Sequence, residues 1–117
     1  MENNTHTKHK KMSVNDFFTA IRDLEGTVYA IDRTSKFKKS VELAYLRNLD
    51  LEKLKNVIHT LAKGEKLPNA NCPHRLKNTK TEIWECHISP DWLLLWQQNE
   101  SEFILLLLDT GTHSDLF

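Results

Sequence analysis

With 117 residues, 39% of them hydrophobic and 27% charged, the chain has the length and composition of one globular domain rather than of a fibrous, low-complexity or disordered protein. Lys+Arg and Asp+Glu are both 16, so no bulk positive field advertises nucleic acid, and contact with RNA would rest on local clusters such as Lys36, Lys38, Lys39 or Arg75, Lys77, Lys80. The longest apolar run, Phe103–Leu108, is far shorter than the roughly 20 residues of a membrane helix, Met1–Lys11 lacks a secretory core, and Cys72 with Cys86 makes no disulfide framework, so a cytoplasmic setting with reduced thiols is expected.

Residues 1–12 read as a disordered basic tail. Ser13 is placed to cap a helix with Asp16 three residues on. Val14, Phe17, Phe18, Ile21 and Leu24 then form one apolar stripe, and Gly26 stops it, so residues 13–28 are expected to hold an N-terminal extension helix. Thr27–Asp32 predicts a short strand. Thr34 or Ser35 caps a second helix through Phe37, Val41, Ala44 and Tyr45, and a third follows the Asn48–Asp50 break through Leu51, Leu54, Val57, Ile58 and Leu61, with Gly64 at its end. Residues 65–73 are loop. The period then changes: Glu82–Ser89 alternates, Trp92–Gln97 and Phe103–Leu108 are near-continuous apolar runs, and the turns between them are short. These features predict a three-stranded antiparallel meander and an α/β (α+β) two-layer fold with the helices on one face of a small sheet.

The chemistry-bearing residues collect in that C-terminal half. His74, His87 and His113 are interleaved with Glu85, Asp91, Asp109 and Asp115. The period of two in Glu82–Ser89 puts Ile83, Glu85 and His87 on one face and Trp84, Cys86 and Ile88 on the other. The second set suits the core, and the first places an acid and a histidine side by side on an accessible face, as general acid–base chemistry uses them. Cys72, His74, Cys86 and His87 form a poor zinc set, because adjacent strand residues point to opposite faces; no metal and no cofactor are expected.

Four pieces from His74 onward carry a resemblance: His-x-Leu after the loop, an acid-x-His strand, a Pro-Asp-Trp turn leading into an apolar strand, and the closing TGTHSDLF. In order and spacing, this stretch from Leu67 to Phe117 resembles the YafQ-like branch of the RelE/ParE toxin superfamily, with a looser likeness back to Tyr29. The resemblance implies a toxin domain over residues 29–117 with the RelE-like fold, in which an N-terminal strand and a helical hairpin pack on a mainly antiparallel sheet. It implies a metal-independent endoribonuclease that enters the ribosomal A site and cuts messenger RNA, held in check by a small DinJ-like antitoxin, the pair binding its own promoter DNA. No membrane partner is implied. Carried over by matching position, His74, Glu85, His87, Asp91 and His113 are the catalytic candidates, and Arg75, Lys77 and Phe117 the substrate-binding ones. His113 would be the acid on the leaving 5′-oxygen. His87 or Asp91 would assist the 2′-hydroxyl, with Glu85 orienting His87. His74, Arg75 and Lys77 would stabilise phosphate, and Phe117 would stack on a base. Asp109 stands where many relatives carry Arg. The alternatives on the same scaffold are a catalytically decayed toxin that retains antitoxin binding, and a non-catalytic binder of a protein target such as gyrase.

Overall fold

The three long helices begin where capping chemistry dictates. Ser13 Oγ accepts the Asp16 N–H at 3.0 Å, Thr34 Oγ1 accepts the Phe37 N–H at 2.9 Å, and Asp50 Oδ1 accepts the Glu52 N–H at 3.0 Å. They open α1 (Val14–Arg22), α2 (Ser35–Leu46) and α3 (Leu51–Ala62). Gly26 and Gly64 follow α1 and α3 with φ of 71° and 74°, a left-handed conformation that glycine adopts without a Cβ clash. This computed structural model describes residues 11–117; residues 1–10 of the expected tail lie outside the described part.

The strands are β1 (Ala30–Arg33), β2 (His74–Arg75), β3 (Trp84–Ser89), β4 (Trp92–Asn99) and β5 (Ile104–Gly111). They form one sheet in the order β1-β5-β4-β3-β2. The meander β3-β4-β5 is antiparallel, as its short turns require. Two strands, the expected first one and a short one the sequence did not announce, extend the meander on either side. β1 pairs parallel to β5 with Ala30 opposite Ile104, and the two-residue β2 pairs antiparallel to β3 with His74 opposite Glu85. The first strand also starts later than expected: the Val28 and Tyr29 N–H groups donate to Ala62 O at 2.8 and 3.0 Å, so residues 27–29 are tied to the end of α3 rather than to the sheet. Register shifts between His87 and Ser89, and between Leu95 and Trp96, mark bulges. The first adjoins the Pro90-Asp91 turn, where a bulge re-aims neighbouring side chains.

Helices α2 and α3 cover one sheet face. Phe37, Val41, Leu54 and Ile58 are fully buried against Cys86, Leu94, Leu105 and Leu107 from the strands. Burial of side chains of this size contributes about 1.5–3 kcal/mol each. Helix α1 packs on α2 and α3. Phe17 is fully buried, with its ring 5.1 Å from Phe18 and 6.4 Å from Phe37. A final short helix, α4 (His113–Leu116), ends the chain with no buried residue of its own. Among the described residues no helix is long and apolar enough to cross a membrane.

Candidate active site

Strand pairing builds the first half of the site. The β2–β3 register sets His74 opposite Glu85, and His74 Nε2 lies 3.1 Å from Glu85 Oε1. The other ring nitrogen, Nδ1, is 3.0 Å from Cys72 O, a carbonyl turned toward it by the left-handed backbone of Cys72 (φ 47°). Both nitrogens thus face acceptors, a set that a doubly protonated imidazolium satisfies. The Glu85 side chain is only 6% exposed, whereas that of His74 is half exposed, so the carboxylate is rigid and the histidine presents one edge to solvent. Glu85 is therefore less accessible than strand alternation suggests. Its partner is His74, and the expected Glu85–His87 orientation is not the contact formed.

His87, two residues further along β3 on the same face, is oriented by the backbone. Its Nδ1 is 3.2 Å from Pro90 O, so the Nδ1–H donates to that carbonyl and Nε2 keeps its lone pair for an incoming proton. The strand beneath is pinned by Asn71, whose Nδ2 donates to His87 O at 2.7 Å. Asp91, in the turn after Pro90, faces the opposite way along the cluster: its Oδ1 lies 3.5 Å from His113 Nδ1. The ring centroids of His87 and His113 are 5.9 Å apart, and that of Phe117 is 6.4 Å from His113. His87, Asp91, His113 and Phe117 thus share one end of the sheet. His74 and Glu85 lie about 7 Å along β3 from them, two residues of strand rise.

The substrate-binding candidates are spread differently. Phe117 is 68% exposed, an aromatic ring with one face open. Arg75 Nη1 donates to Glu82 Oε2 at 2.9 Å across the loop mouth, and Lys77 lies within that 75–82 loop. Asp109 departs from the simple expectation of a missing cation at the phosphate. Its carboxylate is turned into the helix layer, where it accepts from Ser40 Oγ at 2.5 Å and from the Thr110 N–H at 2.8 Å and pairs with Lys36 Nζ at 3.3 Å. Cys86 lies against the opposite sheet face; burial, with the charge of Glu85, pushes its thiol up to about 12, so it stays protonated and is no nucleophile. Among the described residues no group of three or more His, Cys, Asp or Glu is arranged to hold a metal ion.

Two further residues shape this end of the sheet. Asp115 sits three positions after Thr112 and closes a capping box with it, a pattern legible in Thr-x-x-Asp. Arg47 reaches Asp115 from a position 68 residues away, and no local signal announces it.

The fold and site together define a class: a small α+β protein whose histidines and carboxylates meet at one end of a mostly antiparallel sheet. Residues 29–117 match the family model described as bacterial toxin of type II toxin-antitoxin system, YafQ, and the chain belongs to that family. It is 32% identical over 88 residues to the mRNA interferase toxin YafQ of Escherichia coli strain B / BL21-DE3, covering 74% of this chain and 94% of that protein. A metal-bound toxin from Helicobacter pylori superposes with a TM-score of 0.72 at 34% identity, over 74% of this chain and 97% of that one. The toxin of the E. coli DinJ-YafQ toxin–antitoxin complex does so with a TM-score of 0.72 at 30% identity, over 77% and 98%.

Proposed function

We propose that this chain is the toxin of a type II toxin–antitoxin pair and an endoribonuclease that cleaves messenger RNA by attack of the ribose 2′-oxygen on the adjacent phosphorus. The observation that carries the reading is the pair of histidines at one end of the sheet, one turned to a backbone carbonyl and the other to a carboxylate, in a chain of the YafQ family. His87 donates its Nδ1 proton to Pro90 O, which leaves Nε2 to take the proton of the 2′-hydroxyl. His113 has its Nδ1 toward Asp91 Oδ1, and the opposite edge of its ring, Nε2, is placed to hand a proton to the departing 5′-oxygen. The P–O2′ bond forms as the P–O5′ bond breaks, leaving a 2′,3′-cyclic phosphate and a 5′-hydroxyl. His74, held by Glu85 and Cys72 O with one edge open to solvent, borders the phosphate and takes part in stabilising the charge that develops there. Phe117 stacks on a base beside the cut, and Arg75 and Lys77 meet flanking phosphates.

The partner is an antitoxin of the DinJ type, the substrate is messenger RNA in the ribosomal A site, and promoter DNA is bound through the toxin–antitoxin complex, all in the cytoplasm. Residues 29–117 form the toxin domain and residues 13–28 an extension whose helix completes the core through Phe17. The alternative of a decayed toxin rests on Asp109 and on the extra N-terminal segment. The Asp109 carboxylate serves the α2–β5 packing instead, so this departure does not favour decay.

Induced expression in a bacterial host, wild type beside His113→Ala, with primer-extension mapping of cellular messenger RNA, tests the reading. Growth arrest with new cuts, both lost in the variant, is expected. Arrest without cuts would point to a protein target, and no arrest from folded protein to an inactive toxin.

A further inference from the structure

Helix α4 carries His113 at its start and leads into Phe117, yet nothing within it holds it in place. It has four residues, none of them buried. A single turn is unstable alone, because nucleation fixes several dihedrals for one hydrogen bond. Beside the His113 contacts with Asp91 and His87, the Asp115 side chain ties it to Thr112 and to α2. Asp115 Oδ2 accepts the Thr112 N–H at 2.9 Å while Thr112 Oγ1 accepts the Asp115 N–H at 3.1 Å. The same carboxylate receives the fork of Arg47, with Nη1 2.6 Å from Oδ2 and Nη2 3.3 Å from Oδ1. Arg47 is the C-cap of α2, and its N–H donates to Leu43 O at 3.0 Å. Because α2 is anchored in the core by Phe37, Val41 and Ala44, the guanidinium stands on a rigid base. Gly111 closes the other side: a Cβ there would lie 2.9 Å from both Cβ and Oδ2 of Asp115, so β5 and the carboxylate touch with no room for a side chain between them. The Asp115 carboxyl is held well below the usual carboxylate range, first by the Arg47 hydrogen bond and then by the Thr112 amide.

We infer that Arg47 is a positioning residue of the cleavage site, acting through Asp115 to hold α4 so that His113 stays opposite His87 and Phe117 stays at the mouth of the site. The inference rests on the cleavage reading above and extends it to a residue that touches no reacting atom. The fork matters as well as the charge. A guanidinium grips both carboxylate oxygens and fixes the direction of α4, whereas a lysine ammonium is a point charge that leaves the helix free to rotate. Both oxygens of Asp115 are engaged, so Arg47 is a structural brace rather than an open phosphate site.

The test uses the full chain and the variants Arg47→Ala, Arg47→Lys and Asp115→Asn, with two readouts. The first is NMR on the protein alone: exchange of the Leu116 and Phe117 amides, which donate to Thr112 O and His113 O, and the ring-to-ring contact of His87 with His113. The second is the split of RNA cleavage into kcat and KM. In Arg47→Ala the two amides are expected to lose protection and the ring contact to vanish. With it kcat should fall roughly 100-fold, the scale of an ångström-sized misplacement, while KM rises by a smaller factor as Phe117 leaves the base it stacks on. Arg47→Lys should recover part of kcat, and Asp115→Asn should resemble Arg47→Ala. Thermal midpoints should move little, since the pair is partly exposed and α4 buries none of the core. Unchanged amide protection and ring contact in Arg47→Ala would overturn the inference. So would a loss confined to KM, which would mark a direct phosphate contact. If the wild-type chain cuts no RNA, the cleavage reading fails, and the NMR arm still decides whether Arg47 holds α4.

Discussion

The two carboxylate–histidine pairs of the site are built in opposite ways. Glu85 and His74 are 3.1 Å apart on paired strands, with the Glu85 side chain 6% exposed. Asp91 and His113 are 3.5 Å apart, one on a turn and one on α4, and the Asp91 side chain is 73% exposed. Strand register fixes the first pair, since slipping it by one residue would turn every side chain of the strand over. Turn geometry and the Arg47 brace fix the second, so the same chemical pairing is rigid in one place and adjustable in the other. The rigid pair suits a fixed wall of the phosphate site. The exposed pair suits a histidine that must give its proton to a leaving group at the surface, where a long RNA can reach it.

Breaking the exposed pair at its histidine should give the largest effect. His113→Ala is expected to lower the cleavage rate by about 100- to 10,000-fold, the range of one general acid, with the thermal midpoint unchanged. Glu85→Ala should do the reverse in kind. It leaves the buried strand edge without its carboxylate and His74 without its partner, and is expected to cost about 1–3 kcal/mol in urea unfolding; equal stability of variant and wild type would contradict the rigid role. Asp91→Asn, on the exposed pair, should leave stability within about 0.5 kcal/mol, while kcat falls less than in His113→Ala, because the His113 ring loses the carboxylate that orients it. The smallest effect sharpens the comparison through pH alone. Since the Asp115 carboxyl is lowered in the folded chain, the order it lends α4 is present above the ordinary carboxylate value of about 3.9 and is lost as pH falls through the lowered one. Protection of the Phe117 amide should therefore persist at pH 4 and weaken only in stronger acid.

Much of the covered face was legible in the residues. The stripes of Phe17 and Ile21, of Phe37, Val41 and Ala44, and of Leu51, Leu54 and Ile58 mark three helices, and Ser13 and Thr34 cap theirs as their chemistry suggests. Periodicity and caps are local signals, and these elements are local. The parallel pairing of β1 with β5 joins residues more than 70 positions apart and leaves no trace in either run. The two residues of β2 are too few to show a period, so the contact of His74 with Glu85 stayed hidden and Glu85 was assigned to the nearer histidine. Matching motif positions did gather His87, Asp91, His113 and Phe117, which the structure brings to one end of the sheet. The carbonyl beside His87 and the carboxylate beside His113 depend on the Pro90-Asp91 turn and on α4, and spacing does not encode either.

The division of labour between His87 and His113 is tested most directly with an RNA whose scissile 5′-oxygen is replaced by sulfur, presented with ribosomes to wild type, His113→Ala and His87→Ala. A thiolate departs without a proton, so an enzyme missing only its general acid regains activity on this substrate. The account predicts that His113→Ala cleaves the sulfur RNA at close to the wild-type rate while His87→Ala stays impaired. Equal impairment of both variants on this substrate would show that His113 does not protonate the leaving group.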